Sequence, residues 1–180
     1  KEELTRYYPN EANGTLIGYL WARTVKCEGP GCGLDVPIIK NTEISQRYGN
    51  RVAIKIDYLD GILQTKIVSG KDVGGLITGT SKRSSVTCPA CGFTTNRKRV
   101  EGQSKEKGFG YHLLAVCLRS KEGARIYRQP NTQDYRILDQ VDEALDSWKN
   151  TMFSDIVAVP HEELPYLRSI FNVRVYGIDE

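Results

Sequence analysis

The chain predicts an α+β fold: a mostly antiparallel sheet carrying a four-cysteine zinc ribbon, with one main helix in its C-terminal half. Three observations predict it. Runs of β-branched and aromatic residues alternate with turn residues from Thr15 to Arg128. Two cysteine pairs, each followed by glycine, punctuate those runs at Cys27/Cys32 and Cys88/Cys91. One long stretch with helical periodicity starts only after Pro130.

In chain order, Thr15–Lys26 (TLIGYLWARTVK) is apolar on both parities in its first half, as in a strand covered on both faces. It leads directly into Cys27, and residues 36–39 form a second, short strand. Val52, Ile54, Ile56 and Tyr58 alternate with Ala53, Lys55 and Asp57, and the pattern resumes at residues 62–68. Asp60-Gly61 between them supplies the positive φ angles of a tight hairpin turn. Residues 69–85, rich in glycine and hydroxyls, read as turns and exposed loop around a short strand at Leu76-Ile77.

Residues 86–88 and 93–100 flank the second cysteine turn as the arms of a second hairpin, and residues 101–107 read as a polar, helical segment. Residues 111–119 form a strongly apolar strand, with residues 124–128 as its hairpin partner. The main helix, residues 131–150, opens at Asn131 or Thr132, with Asp134 complementing the positive end of its dipole. Ile137, Leu138, Val141, Ala144, Leu145 and Trp148 recur at spacings of three and four, a single apolar stripe expected to pack on the sheet. Short strands are expected at residues 156–159 and 173–176, joined through a loop with Pro160 and Pro165.

Composition narrows the class. The 180 residues are 39% apolar and 26% charged, enough for one domain with a core that needs no disulfide framework. No apolar run approaches the ~20 residues that cross a bilayer, so no membrane partner is expected. No secretory leader pattern opens the chain, and the five cysteines read as thiols of a reducing cytoplasm. The chain begins at Lys1 and has its sole methionine at Met152, so it reads as a single accessory domain, 1–180, of a larger protein. Residues 1–133 carry 21 Lys and Arg against 12 Asp and Glu, a net of +9; residues 134–180 carry 4 against 10, a net of −6. A basic body and an acidic tail region lie behind the overall +3.

The cysteines carry the chemistry. Two thiolates reach one tetrahedral metal at ~2.3 Å only if the backbone between them folds sharply. A glycine after the second cysteine lets backbone N–H groups turn toward sulfur. The sequences Cys27-Glu28-Gly29-Pro30-Gly31-Cys32-Gly33 and Cys88-Pro89-Ala90-Cys91-Gly92 both have this form. Cys27, Cys32, Cys88 and Cys91 are therefore the expected ligands of one metal, in a zinc ribbon formed by 24–36 and 86–100. The 55 residues between Cys32 and Cys88 exceed the gap of a compact finger, and an intervening β-hairpin is expected to return the chain. Zinc is the favoured ion, although iron takes the same geometry. Four thiolates leave no open position, so the metal is expected to be structural.

The remaining candidates read as structural. Cys117 sits inside an apolar strand; His112 opens that strand and His161 follows Pro160 in a loop, neither in a catalytic setting. The glycines between 70 and 79 lack the lysine-serine or lysine-threonine ending of a phosphate loop. Around the second cysteine turn, Lys82, Arg83, Arg97, Lys98, Arg99, Lys105 and Lys107 stand against only Glu101 and Glu106. On a metal-pinned hairpin they would follow a phosphate backbone, and DNA is the partner they suggest. The alternative is a solvated surface that keeps the domain soluble.

Tyr8-Pro9, the run Ile17-Gly18-Tyr19-Leu20-Trp21-Ala22-Arg23-Thr24-Val25-Lys26-Cys27 with Cys32-Gly33 and Val36-Pro37, Val86-Thr87-Cys88-Pro89-Ala90-Cys91-Gly92, Leu164-Pro165-Tyr166 and Val175-Tyr176-Gly177 together resemble the middle, zinc-ribbon region of the zinc-ribbon-containing adenine-specific DNA methylases. The resemblance covers most of the chain, and the run before Cys27 is its most specific part. It implies a parent protein that transfers a methyl group from S-adenosylmethionine to adenine N6 in DNA, with catalysis on a separate Rossmann-like methyltransferase domain of the same polypeptide. That family's Asn-Pro-Pro-Tyr or Asp-Pro-Pro-Tyr tetrapeptide is absent here. Only the four cysteine ligands carry over, and no catalytic residue is assigned. The expected role is an accessory domain that positions DNA; an architectural, protein-interacting zinc module and a stand-alone zinc-ribbon nucleic-acid binder are the alternatives.

Overall fold

The structure, a computed structural model, describes residues 11–47, 49–75 and 79–152. Two compact units divide the chain after Tyr135. The first is mostly antiparallel sheet. Its organising strand is β1 (Thr15–Lys26), which pairs along most of its length with β9 (Gly110–Arg119) and at its end with β2 (Asp35–Pro37). β10 (Arg125–Arg128) folds back on β9 and completes a four-stranded sheet in the order β10-β9-β1-β2. β1 keeps pace with β9 through two irregularities, between Leu16 and Gly18 and between Leu20 and Trp21, where an extra residue shifts the register.

The second sheet is the meander β3 (Glu43–Arg47), β4 (Asn50–Leu59) and β5 (Ile62–Ser69). The β4–β5 turn is the expected tight hairpin, with φ of 51° at Asp60 and 78° at Gly61. β3 was not expected: only Ile44 marks its inward face, and a polar five-residue strand gives almost no alternation to read. A third, minimal sheet joins β6 (Ser81–Lys82), β7 (Ser85–Thr87) and β8 (Thr94–Thr95).

Two expectations are corrected here. The second arm of the cysteine hairpin is not a strand over residues 93–100: β8 ends at Thr95, and helix α1 (Arg97–Lys107) begins. Asn96 causes the switch, since its side chain caps the helix by accepting the Arg99 N–H at 3.1 Å. The glycine-rich segment is not simply exposed loop either. Gly70–Gly75 winds into a 3-10 helix that fully buries Val73. The expected strand at Leu76-Ile77 lies outside the described residues.

Two clusters form the core of this unit. Ala22, Leu114 and Ala115 of the first sheet meet Ile54 of the second, with Leu20, Ile39, Ile44 and Ile67 around them. Val25, Val36, Val86 and Val100 join β1, β2, β7 and α1 beneath Cys27 and Cys88. The two cysteine turns therefore rest on apolar packing.

Helix α2 (Thr132–Met152) matches the periodic segment. Its start is a reciprocal cap: Asn131 Oδ1 accepts the N–H groups of Gln133 and Asp134, while Asp134 Oδ2 accepts the Asn131 N–H at 2.7 Å. Ile137 and Val141 of the stripe are buried. The strands expected at residues 156–159 and 173–176 lie outside the described residues, as do Tyr8-Pro9, Leu164-Pro165-Tyr166 and Val175-Tyr176-Gly177. Among the described residues, no helix is long and apolar enough to cross a membrane.

Candidate metal centre

Each cysteine pair stands on a tight knuckle at the end of a strand. At the end of β1 the Cys27 N–H donates to the Leu34 carbonyl at 2.8 Å and the Cys32 N–H to that of Gly29 at 3.0 Å. After β7 the Cys88 N–H donates to the Phe93 carbonyl and the Gly92 N–H to that of Cys88, both at 2.9 Å. The glycines after each pair have the expected left-handed backbone, φ 61° at Gly33 and 75° at Gly92. Gly29 is required for a different reason: a Cβ there would lie 2.9 Å from the Phe93 Cβ and 3.1 Å from the Cys91 sulfur. The first knuckle is glycine-bearing because the second leans against it.

The four Sγ atoms converge within 4.8 Å of one another. Cys27 and Cys91 are 3.5 Å apart at sulfur, Cys32 and Cys88 3.9 Å. A tetrahedron with ~2.3 Å metal–sulfur bonds has edges of about 3.8 Å, so the donor set fits a zinc-sized ion such as zinc itself with only small adjustment. Among the described residues no other group of metal-donor side chains converges in this way. Cys27 and Cys88 are buried, Cys32 half-buried and Cys91 exposed.

Without a cation, three of these thiols are shifted by their surroundings. Burial pushes the Cys27 thiol up to about 12 and raises that of Cys88. The Phe93 N–H aimed at its sulfur brings the exposed Cys91 down to about 7. The Gly29 N–H likewise donates to the Cys27 sulfur at 3.4 Å. Four thiolates at such distances repel strongly, and a bound divalent cation is what reverses that balance.

The long gap between the knuckles is closed by a staple. Thr80 Oγ1 donates to the Pro37 carbonyl and accepts the Ile39 N–H at 3.1 Å, and the Ser81 N–H donates to the Ile39 carbonyl at 2.9 Å. The chain thus leaves the ribbon after Ile39 and re-enters it at Thr80. The whole β3–β4–β5 sheet is an insertion whose two ends lie side by side, rather than the single hairpin expected. Tyr58 ties that insertion back: its hydroxyl donates to the Asp35 carbonyl at 2.9 Å. Burial, then the nearby cysteine sulfurs, hold the Tyr58 phenol well above its ordinary range.

Helix α1 locks onto the first knuckle through residues that spacing rules do not reveal. Gln103 bonds both main-chain groups of Lys26, and its Nε2 also donates to Glu28 Oε1 at 3.1 Å. Arg99 Nε reaches both Glu28 oxygens, at 3.0 and 2.9 Å. Arg99 and the Gln103 donor together keep the Glu28 carboxyl below its usual range.

The seven basic candidates are all exposed, but they sit on the β6–β7 turn and on α1, not on a hairpin arm. Arg97 pairs with Glu101 at 2.5 Å, one helical turn on, and Arg99 with Glu28. Lys82, Arg83, Lys98, Lys105 and Lys107 make no ion pair with a described residue. At about 100° per residue, Lys98 and Lys105 fall on nearly the same line of α1, opposite the buried Val100. Cys117 is buried in β9, apart from the cluster of four. Burial lowers the pKa of the half-buried His112, and His161 lies outside the described residues. Compared with family models, curated proteins and solved structures, the chain matches none.

Proposed function

We propose that this chain is a zinc-ribbon accessory module that holds one structural zinc ion through Cys27, Cys32, Cys88 and Cys91 and positions DNA for a methyltransferase domain of the same polypeptide. The observation that carries the reading is the convergence of four sulfurs from two matching knuckles within 4.8 Å. Zinc held there would cross-link β1, β7 and, through Gln103 and Arg99, α1. With four protein sulfurs filling a tetrahedron, no position is left for water or substrate, so its role is to fix loops.

The DNA part rests on the family resemblance and on the cations of α1 and the β6–β7 turn that make no ion pair with a described residue. The parent's S-adenosylmethionine chemistry is assigned to its catalytic domain, and this chain supplies neither cofactor loop nor catalytic side chain. One observation favours the architectural alternative. Arg97 and Arg99, the centre of the basic cluster, already hold Glu101 and Glu28. The phosphate-binding set is therefore placed on Lys98, Lys105, Lys107, Lys82 and Arg83 instead.

Two measurements test this. Elemental analysis of the purified chain is expected to give one zinc per molecule, lost in Cys88→Ser; neither zinc nor iron would overturn the metal reading. Duplex titrations across a salt series are expected to weaken steeply with salt, and Lys98→Ala with Lys105→Ala to flatten the slope by roughly one unit per lost contact. No binding at low salt would leave the architectural reading standing.

A further inference from the structure

The first unit carries three clefts in succession, each sharing a wall with the next. The largest, about 350 Å³, lies between β5 and β9 and ends at Gln129 and Tyr135. It shares Ile62, Leu63 and His112 with a second of about 240 Å³ that reaches Tyr111 and Asp35. That one shares Thr24 and Asp35 with a third of about 260 Å³, bounded by Lys26 and by Lys107 at the end of α1.

The chemistry changes along this track. The first cleft has no Lys, Arg, Asp or Glu in its lining. It does present apolar and aromatic surface to water: Ile62 is 66% exposed and Tyr135 42%, and Tyr111 in the second cleft is 59% exposed. Gln129 is held in place by donating Nε2 to the Thr65 carbonyl at 2.6 Å, which leaves its own amide oxygen as a fixed acceptor. Cations take over further on. Arg23 stands directly opposite Tyr111 in the β1–β9 register, on the same face of the sheet, and Lys107 flanks the third cleft. Of the acids there, Asp35 is neutralised by Lys26 at 2.8 Å, leaving Glu106 beside Lys107.

Exposed aromatic rings that give way to cations along one track suit an unpaired polynucleotide, which offers bare base faces and phosphates together; a duplex hides the former. Resting on the DNA-positioning reading, we propose that this track takes a short unpaired stretch of DNA, its bases against Tyr135 and Tyr111 and its phosphates at Arg23 and Lys107. The ribbon module would then hold a locally opened strand, not only the outside of a duplex.

The test is fluorescence anisotropy on the metal-loaded chain, with a labelled oligothymidylate of about 12 nucleotides, the matching oligouridylate and a duplex of equal length. The single DNA strand is expected to bind at least tenfold tighter than the duplex. Tyr111→Ala and Tyr135→Ala should each weaken the single strand by about fivefold or more, with duplex binding unchanged, and Tyr→Phe at either site should restore it. Thermal melting of each variant separates loss of stacking from loss of fold, and Lys98→Ala with Lys105→Ala reports on α1. Equal binding of strand and duplex, insensitive to both tyrosines but weakened by the lysine pair, overturns the track while leaving DNA positioning intact. Absence of binding by any polynucleotide overturns both, and a preference for oligouridylate overturns DNA as the occupant.

Discussion

The side-chain amide of Gln103 meets the main chain of Lys26 in both directions: its Oε1 accepts the Lys26 N–H at 2.9 Å and its Nε2 donates to the Lys26 carbonyl at 3.0 Å. One glutamine on α1 thus takes the place of a neighbouring strand at the last residue of β1, immediately before Cys27. The helix that follows the second knuckle is fastened to the strand that precedes the first. The cysteine turns and α1 form one mechanical piece as a result.

Replacing Gln103 by leucine should remove these bonds and the one to Glu28, leaving the Lys26 groups to whatever water reaches them. The sites are largely solvent-accessible, so the expected cost is about 1–2 kcal/mol. Urea denaturation of the metal-loaded protein measures it. A larger loss of metal affinity than of global stability would show that the clamp chiefly orients the first knuckle.

Much of this was legible in the sequence, and the physical reason differs from element to element. Thr15–Lys26, the Asp60-Gly61 hairpin and the cysteine knuckles each follow from a local rule: strand composition, a turn needing positive φ, thiolates needing a sharp bend. α2 announced itself by its apolar stripe. α1 was legible only in its second half, as the polar helical segment 101–107; its first turn was read as strand, because Val100 is its sole buried side chain and eleven mostly charged residues carry no periodic signal. The readable cue to its start was Asn96, a capping residue three positions before Arg99. Gln103, Tyr58 and Gly29 matter through partners 77, 23 and more than 60 positions away, and no local pattern encodes such contacts.

Gly29→Ala should damage the metal site, because Gly29 is buried between the two knuckles. The added Cβ would meet the Phe93 Cβ at 2.9 Å and the Cys91 sulfur at 3.1 Å, so the knuckles must separate. Zinc competition against a chelator should show weakened affinity. Gly102→Ala, which meets nothing within 4 Å on α1, is the control and should hold or slightly raise stability. Equal affinities in both variants would mean that the second knuckle shifts freely.

Removing the metal should separate the two core clusters. The Val25–Val36–Val86–Val100 cluster packs with Cys27 and Cys88 and should loosen on chelation. The cluster around Ile54, Leu114 and Ala115 contains no cysteine and should persist. Hydrogen exchange on the chelated protein should therefore show lost protection at β7 and α1, with β4, β5 and β9 still protected. Uniform loss across all strands would instead make the metal a condition of folding for the whole unit.

Arg128 provides the pH-dependent element of the fold. Its Nη1 and Nη2 bond the Asp134 carboxylate at 2.6 and 2.7 Å, and Nε and Nη2 bond Glu11 at 2.8 and 2.5 Å. Asp134 is almost fully buried at the cap of α2. Burial alone would raise its pKa; the Arg128 donors and the Asn131 N–H more than offset that and hold it below the ordinary carboxylate range. A carboxylate depressed in the folded state stabilises fully above the unfolded value of about 3.9, and the contribution fades as pH falls through the folded value. Asp134→Asn should therefore cost about 3 kcal/mol at neutral pH, the low end for breaking a buried pair, because Glu11 still holds Arg128. The gap between wild type and variant should narrow below about pH 4. Acid also strips metal from thiolates, so the quantity to follow is that difference, measured by urea denaturation of the metal-free chains. A gap that stays constant down to strongly acidic pH would assign the loss to the cap hydrogen bond and not to the charge.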